Sequence, residues 1–157
     1  MALVRISVLL LALNTSACDA QRGPTDDFPT EVVREALDAE RDEAIANITR
    51  RYPGSQAIPG SLSRVHIEGS RSLEEFIFFT NLRSGRIDTV VIKYAPDLSL
   101  NARREILNSA SPGLAGRLGP DDVLTLEGPI EGTALRVRAA DRQGRLTLTV
   151  EAKARPR

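Results

Sequence analysis

From residue 30 onward the chain alternates between stretches of helical and of strand periodicity. Val33, Leu37, Ala44 and Ile48 recur at spacings of four, seven and four, one stripe of a helix whose remaining positions are mostly charged. The spacing predicts a helix over 30–51, capped by Thr30, with Glu31 and Glu35 at its positive end and Pro53-Gly54 as its stop. Three strands are expected next. Residues 62–68 alternate Val65 and Ile67 against Arg64, His66 and Glu68. Residues 75–80 hold Phe76-Ile77-Phe78-Phe79, apolar on both faces and so expected to be covered on both, and 87–94 reads as a central strand. A second helix is expected from 98 or 99 to 110, capped by Asp97 or Ser99, with Leu100, Ile106 and Leu107 inward and Ser111-Pro112-Gly113 ending it. A loop over 114–120 leads to a short strand at 123–127.

The C-terminal segments 133–140 and 145–152 flank Asp141-Arg142-Gln143-Gly144, read as a four-residue turn. With Ala140 opposite Arg145, Ala139 meets Leu146, Val137 meets Leu148 and Leu135 meets Val150 on one apolar face. The expected fold class is α+β, an antiparallel sheet with two helices on one face in the order α-β-β-β-α-β-β-β. That order suggests halves over 30–95 and 97–152 within a single domain over 30–157, although the halves share no evident sequence similarity. Meanders of this kind are similar to cystatin-like folds, a likeness of architecture that carries no function.

The first 20 residues have a different character. Arg5 precedes an apolar run of eight residues over 6–13, well short of the roughly 18–20 needed to span a bilayer. Small residues follow, which is the layout of an export signal over 1–17. The run Thr15-Ser16-Ala17-Cys18 resembles the lipobox of bacterial lipoproteins, although Thr15 stands where that motif usually has Leu. The resemblance covers only this leader. It implies cleavage before Cys18, acylation of that residue (palmitate among the chains attached) and a membrane anchor in the cell envelope. Asp19, directly after it, resembles the inner-membrane retention signal of enteric lipoproteins; outer-membrane sorting is the alternative. Cleavage after Ala17 or Ala20 without acylation would instead give a free periplasmic protein. Residues 18–29, with Gly23, two Pro and three Asp, read as a polar tether.

Composition narrows the chemistry. One Cys excludes an intrachain disulfide, and one Cys with one His excludes the usual Cys- or His-rich metal clusters; no metal or cofactor is expected. His66 lies in an alternating strand and reads as a half-exposed strand residue; Ser61, Ser63, Ser70 and Glu68 offer no defined triad. The pairs Glu74-Glu75 and Asp121-Asp122 put neighbouring carboxylates on opposite faces of a strand and read as solvated. No catalytic residue is assigned, and an enzyme is not expected, although a hydrolase built from distant carboxylates leaves no local signature. The net charge of zero conceals an uneven layout. Residues 18–49 sum to −6 and 132–157 to +5. The basic hairpin suggests a partner contact at Arg136, Arg138 and Arg145, facing an envelope protein or an anionic polymer. Nucleic acid is not expected, since stacking aromatics are missing. The leading expectation is therefore a membrane-tethered envelope lipoprotein of binding or scaffolding type. An inhibitor or immunity-type protein, using the acidic helix or the 114–120 loop, is the alternative.

Overall fold

A computed structural model describes residues 28–60, 63–119, 124–130 and 133–152. The signal segment, Cys18, Asp19, Asp121 and Asp122 lie outside the described residues. Among the described residues the architecture is α+β, with a seven-stranded antiparallel sheet and three α-helices. Helices α1 (Thr30–Ala36) and α2 (Arg41–Arg51) precede strands β1 (Gln56–Ala57), β2 (Arg64–His66), β3 (Leu73–Thr80) and β4 (Ile87–Tyr94). Helix α3 (Leu100–Ala110) and a 3₁₀ turn (Ala115–Arg117) then lead to β5 (Leu124–Pro129), β6 (Leu135–Arg142) and β7 (Arg145–Ala152). The sheet order is β1-β2-β3-β4-β7-β6-β5, so two meanders meet along β4 and β7.

The expected order α-β-β-β-α-β-β-β with two helices is corrected at the first helix, which is two helices. The break has a backbone cause. Asp38 adopts a positive φ of 67°, its N–H donates to the Ile87 carbonyl at 2.8 Å, and the Ala39 carbonyl accepts from the Ile87 N–H at 3.0 Å. Residues 38–39 thus exchange helical hydrogen bonds for a bridge to the start of β4, reinforced by the Arg86 guanidinium donating to the Asp38 carbonyl. Thr30 is the first helical residue and not the cap, a place taken by Pro29. Ser99 does cap α3, its hydroxyl accepting from the Ala102 N–H at 3.2 Å. The two-residue β1 lies in a segment that carried no strand signal.

Cross-strand register orders the core. Val65, Phe76, Ile92, Leu148 and Ala139 form one row running through β2, β3, β4, β7 and β6, and Phe78, Val90, Val150 and Val137 form the next. Every one of these side chains is buried. Directly opposed residues share a face, so both rows line the inward side. They join Val32, Val33 and Ala36 of α1, Ala44 and Ile48 of α2, and Ile106, Leu107 and Ala110 of α3 in one hydrophobic cluster. Phe28 belongs to that cluster, and its N–H donates to Ser109 Oγ at 3.0 Å, docking the start of the described chain on the C-terminal end of α3. Tyr52 packs at the end of α2; burial pushes its phenol above the usual tyrosine value, with Arg51 pulling the other way.

Two further expectations are corrected here. β3 is covered on one face only: Phe76 and Phe78 are buried, Ile77 is half-buried and Phe79 is 53% exposed. Apolar residues at consecutive positions gave no alternation from which the outer side could be read. The hairpin register is shifted by two residues, with Ala139 opposite Leu148, Val137 opposite Val150 and Leu135 opposite Ala152. β6 continues through Arg142, and the turn is the two-residue pair Gln143-Gly144, with φ of 54° and 77°. Two positive φ values define a type I′ turn, whose twist suits a tight hairpin. A slip of two preserves the faces, so Val137, Ala139, Leu146, Leu148 and Val150 are all buried, as that face requires.

Gly128 of β5 passes close beneath the end of α3. A Cβ there would lie 2.7 Å from Ser111 Oγ and 3.4 Å from both Leu114 methyl carbons. Gly128→Val is therefore expected to destabilise the protein by about 1–3 kcal/mol, seen as a lower urea midpoint with an unchanged slope.

Candidate functional site

The side of the sheet opposite the core is the broadest candidate surface. Its rows follow from the same register: His66, Glu75, Lys93, Thr147 and Ala140; then Arg64, Ile77, Val91, Thr149, Arg138 and Glu127; then Phe79, Thr89, Glu151, Arg136 and Pro129. Of these residues only Glu75 is buried. The middle of the face is aliphatic and β-branched, and charged clusters stand on either side of it.

The cluster on β2–β4 is centred on Glu75. Arg64 approaches one carboxylate oxygen through Nη2 at 2.5 Å and Nε at 2.6 Å, and Lys93 Nζ meets the other at 2.9 Å. The reading of Glu74-Glu75 as a solvated pair is corrected for Glu75, whose side chain is 5% exposed between these two cations. A register irregularity between Leu73 and Glu75 sets the two adjacent acids apart in the ladder. His66 is exposed, in register with Gln56 on one side and Glu75 on the other.

The cluster on β5–β7 contains the basic residues singled out from the sequence. Arg136 binds Glu127 at 2.7 Å and Glu151 at 2.8 Å, and Arg138 lies 3.6 Å from Glu151. The hairpin's basic face is thus balanced by Glu127 of β5 and by Glu151 of the hairpin itself. Arg145 stands apart from this network. It opposes Arg142 directly across the type I′ turn, both are exposed, and neither makes an ion pair among the described residues. Like charges placed opposite each other destabilise a hairpin. Sequence reading missed Arg142 because the residue was placed inside a longer turn.

The other candidates resolve into structural roles. Phe76 and Phe78 are core residues whose rings lie 6.5 Å apart and nearly parallel. In the 114–119 segment, Leu114 and Leu118 point inward and Arg104 clamps the Leu118 carbonyl at 2.7 Å and 3.0 Å; Pro120 lies outside the described residues. Asp141, assigned to the turn, is instead 2% exposed and ion-paired with the buried Arg103 of α3. Among the described residues no helix is long and apolar enough to cross a membrane, and no group of three or more His, Cys, Asp or Glu is placed to hold a metal.

Comparison with known proteins supplies no relative: no family model, no curated protein and no solved structure matches the chain.

Proposed function

We propose that this protein is a lipid-anchored cell-envelope protein of non-enzymatic binding type, tethered through Cys18 and engaging an envelope partner with the outer face of its sheet. The observation that carries the binding part is the row Arg64, Ile77, Val91, Thr149, Arg138 and Glu127, aliphatic at its centre and charged at both ends. An apolar middle with a polar rim is the layout of a protein-binding surface. Arg136 and Arg138 are held in place by Glu127 and Glu151, while Arg145 beside Arg142 supplies the uncompensated charge at one end. Such a charge steers an acidic partner into register. The anchoring part rests on the lipobox-like leader, and Asp19 favours the periplasmic side of the inner membrane.

The test is a double charge reversal, Arg138→Glu with Arg145→Glu, in the full chain expressed at its natural level. Both side chains are exposed; the reversal at 138 sets a carboxylate opposite Glu127 while that at 145 removes the repulsion from Arg142, so folding stability is expected to fall by about 1 kcal/mol or less. Chemical crosslinking in intact cells is expected to lose the partner adduct of the unaltered protein. An adduct of undiminished yield in the double variant would remove this face as the contact.

A further inference from the structure

Among the described residues, the two large apolar side chains that stand out in solvent are Phe79, 53% exposed, and Leu82, fully exposed. They are three positions apart on the same β3–β4 hairpin. Scattered single apolar residues are ordinary on a protein surface; one near the end of β3 and one in the turn directly after it are a localised feature. The turn holding Leu82 is braced by hydrogen bonds around Asn81. Asn81 Oδ1 accepts from the Arg83 and Ser84 N–H groups at 2.9 Å and 3.4 Å, the Asn81 carbonyl accepts from Gly85 at 2.9 Å, and the Asn81 N–H donates to the Arg86 carbonyl at 2.8 Å. Gly85 takes a φ of 71° that closes the turn.

The position of this turn selects its occupant. Strand β4 starts at Ile87 beside it, and Thr89 pairs with Glu151, so the end of β7 lies at the same edge of the sheet. Phe28 is docked on Ser109 near the end of α3, whose following Ser111 lies against Gly128 of β5 close to that same edge. The type I′ turn with Arg142 and Arg145 is at the opposite edge. A coil of the length between Cys18 and Phe28 spans about 17 Å on average, whereas an eight-residue strand such as β4 is about 26 Å long. A lipid on Cys18 therefore brings the edge bearing Phe79 and Leu82 toward the bilayer and leaves Arg142 and Arg145 facing away. Arg83, exposed beside Leu82 and without an ion pair among the described residues, is placed to meet lipid phosphate while the apolar pair enters the interface. Of the acids beside the turn, Asp42 is paired with Arg41 at 2.8 Å, whereas Glu40 and Asp88 are exposed and make no ion pair among the described residues.

We infer that the β3–β4 turn is a membrane-docking wedge, in which Leu82 and Phe79 insert into the interfacial layer of the bilayer that carries the anchor. This orients the sheet so that its Arg142–Arg145 edge is presented to the envelope space. The inference rests on the lipoprotein reading, and its test supplies the anchor chemically so that the two fail separately. The chain contains no Trp and a single Cys. The chain from Cys18 onward, carrying either Leu82→Trp or Arg142→Trp, is coupled through Cys18 to a maleimide lipid in phosphatidylethanolamine–phosphatidylglycerol vesicles. Both substitutions are at exposed positions, which leaves the fold intact. Emission from Leu82→Trp is expected to shift to the blue and to lose about half or more of its intensity to brominated acyl chains, with Arg142→Trp unaffected. Equal behaviour of the two reporters, quenched or not, overturns the wedge. So does a blue shift of Leu82→Trp that occurs without vesicles and grows with protein concentration, which would mark a contact between copies of the chain.

Discussion

Asp141→Ala is expected to lower folding stability by about 3–5 kcal/mol, read as a large fall in the urea midpoint. The Asp141 and Arg103 side chains are 2% and 7% exposed and ion-paired between β6 and α3. Removing one partner leaves a guanidinium buried without its counter-charge, and that desolvation cost is the source of the effect. The pair itself contributes much less. Arg103 Nε and Asp141 Oδ1 are buried with no hydrogen-bond partner, so the attraction is set against imperfectly satisfied polar atoms. Replacing both residues together, Arg103→Met with Asp141→Leu, is therefore expected to recover most of the loss. A double variant as unstable as Asp141→Ala would show that the pair is a net source of stability.

The second large effect is expected from Phe76→Ala, at about 3–5 kcal/mol. Phe76 is fully buried in the central inward row, and its ring centroid is 6.1 Å from that of Tyr52 and 6.5 Å from that of Phe78. The protein has four Phe, two Tyr and no Trp, so few large side chains are available to collapse into the space. Removing this ring also unseats Tyr52 at the end of α2, linking the loss in the sheet to the helix above it. Phe79→Ala, on the outer face of the same strand, is expected to change stability by less than about 1 kcal/mol. The contrast between these two variants in one unfolding series measures how one-sided the strand is.

That one-sidedness shows what was legible in the sequence and what was not. Strands β3, β4, β6 and β7 were visible from local patterning, as was α3 with its Ser99 cap, because propensity and capping chemistry agree there. The break between α1 and α2 was not visible: the stripe through Val33, Leu37, Ala44 and Ile48 is continuous. What interrupts it is a backbone exchange with Ile87, nearly fifty positions later. The hairpin slipped by two because Gln143-Gly144 is an uncommon pair for a type I′ turn and Asp141 looked like a turn residue. Its true role depends on Arg103, 38 positions away. Glu75 is similar, since its two cations come from neighbouring strands and leave no local trace. The candidate face was legible as a set of arginines, but its balance was not. Glu127 and Glu151 neutralise Arg136 and Arg138, and the unbalanced charge is at Arg142 and Arg145.

The anchor is the premise on which the wedge, the orientation of the sheet and the choice of a membrane-bound partner depend. It is tested most directly by the intact mass of the N-terminal peptide, taken from membrane and soluble fractions of cells expressing the protein or its Cys18→Ala variant. The account predicts a mature chain in the membrane fraction that starts at an acylated Cys18, with that species absent from the variant. A chain starting at Asp19 or later, or an unmodified Cys18, recovered from the soluble fraction would contradict it. The protein would then be a free periplasmic one, with its outer sheet face directed at soluble partners.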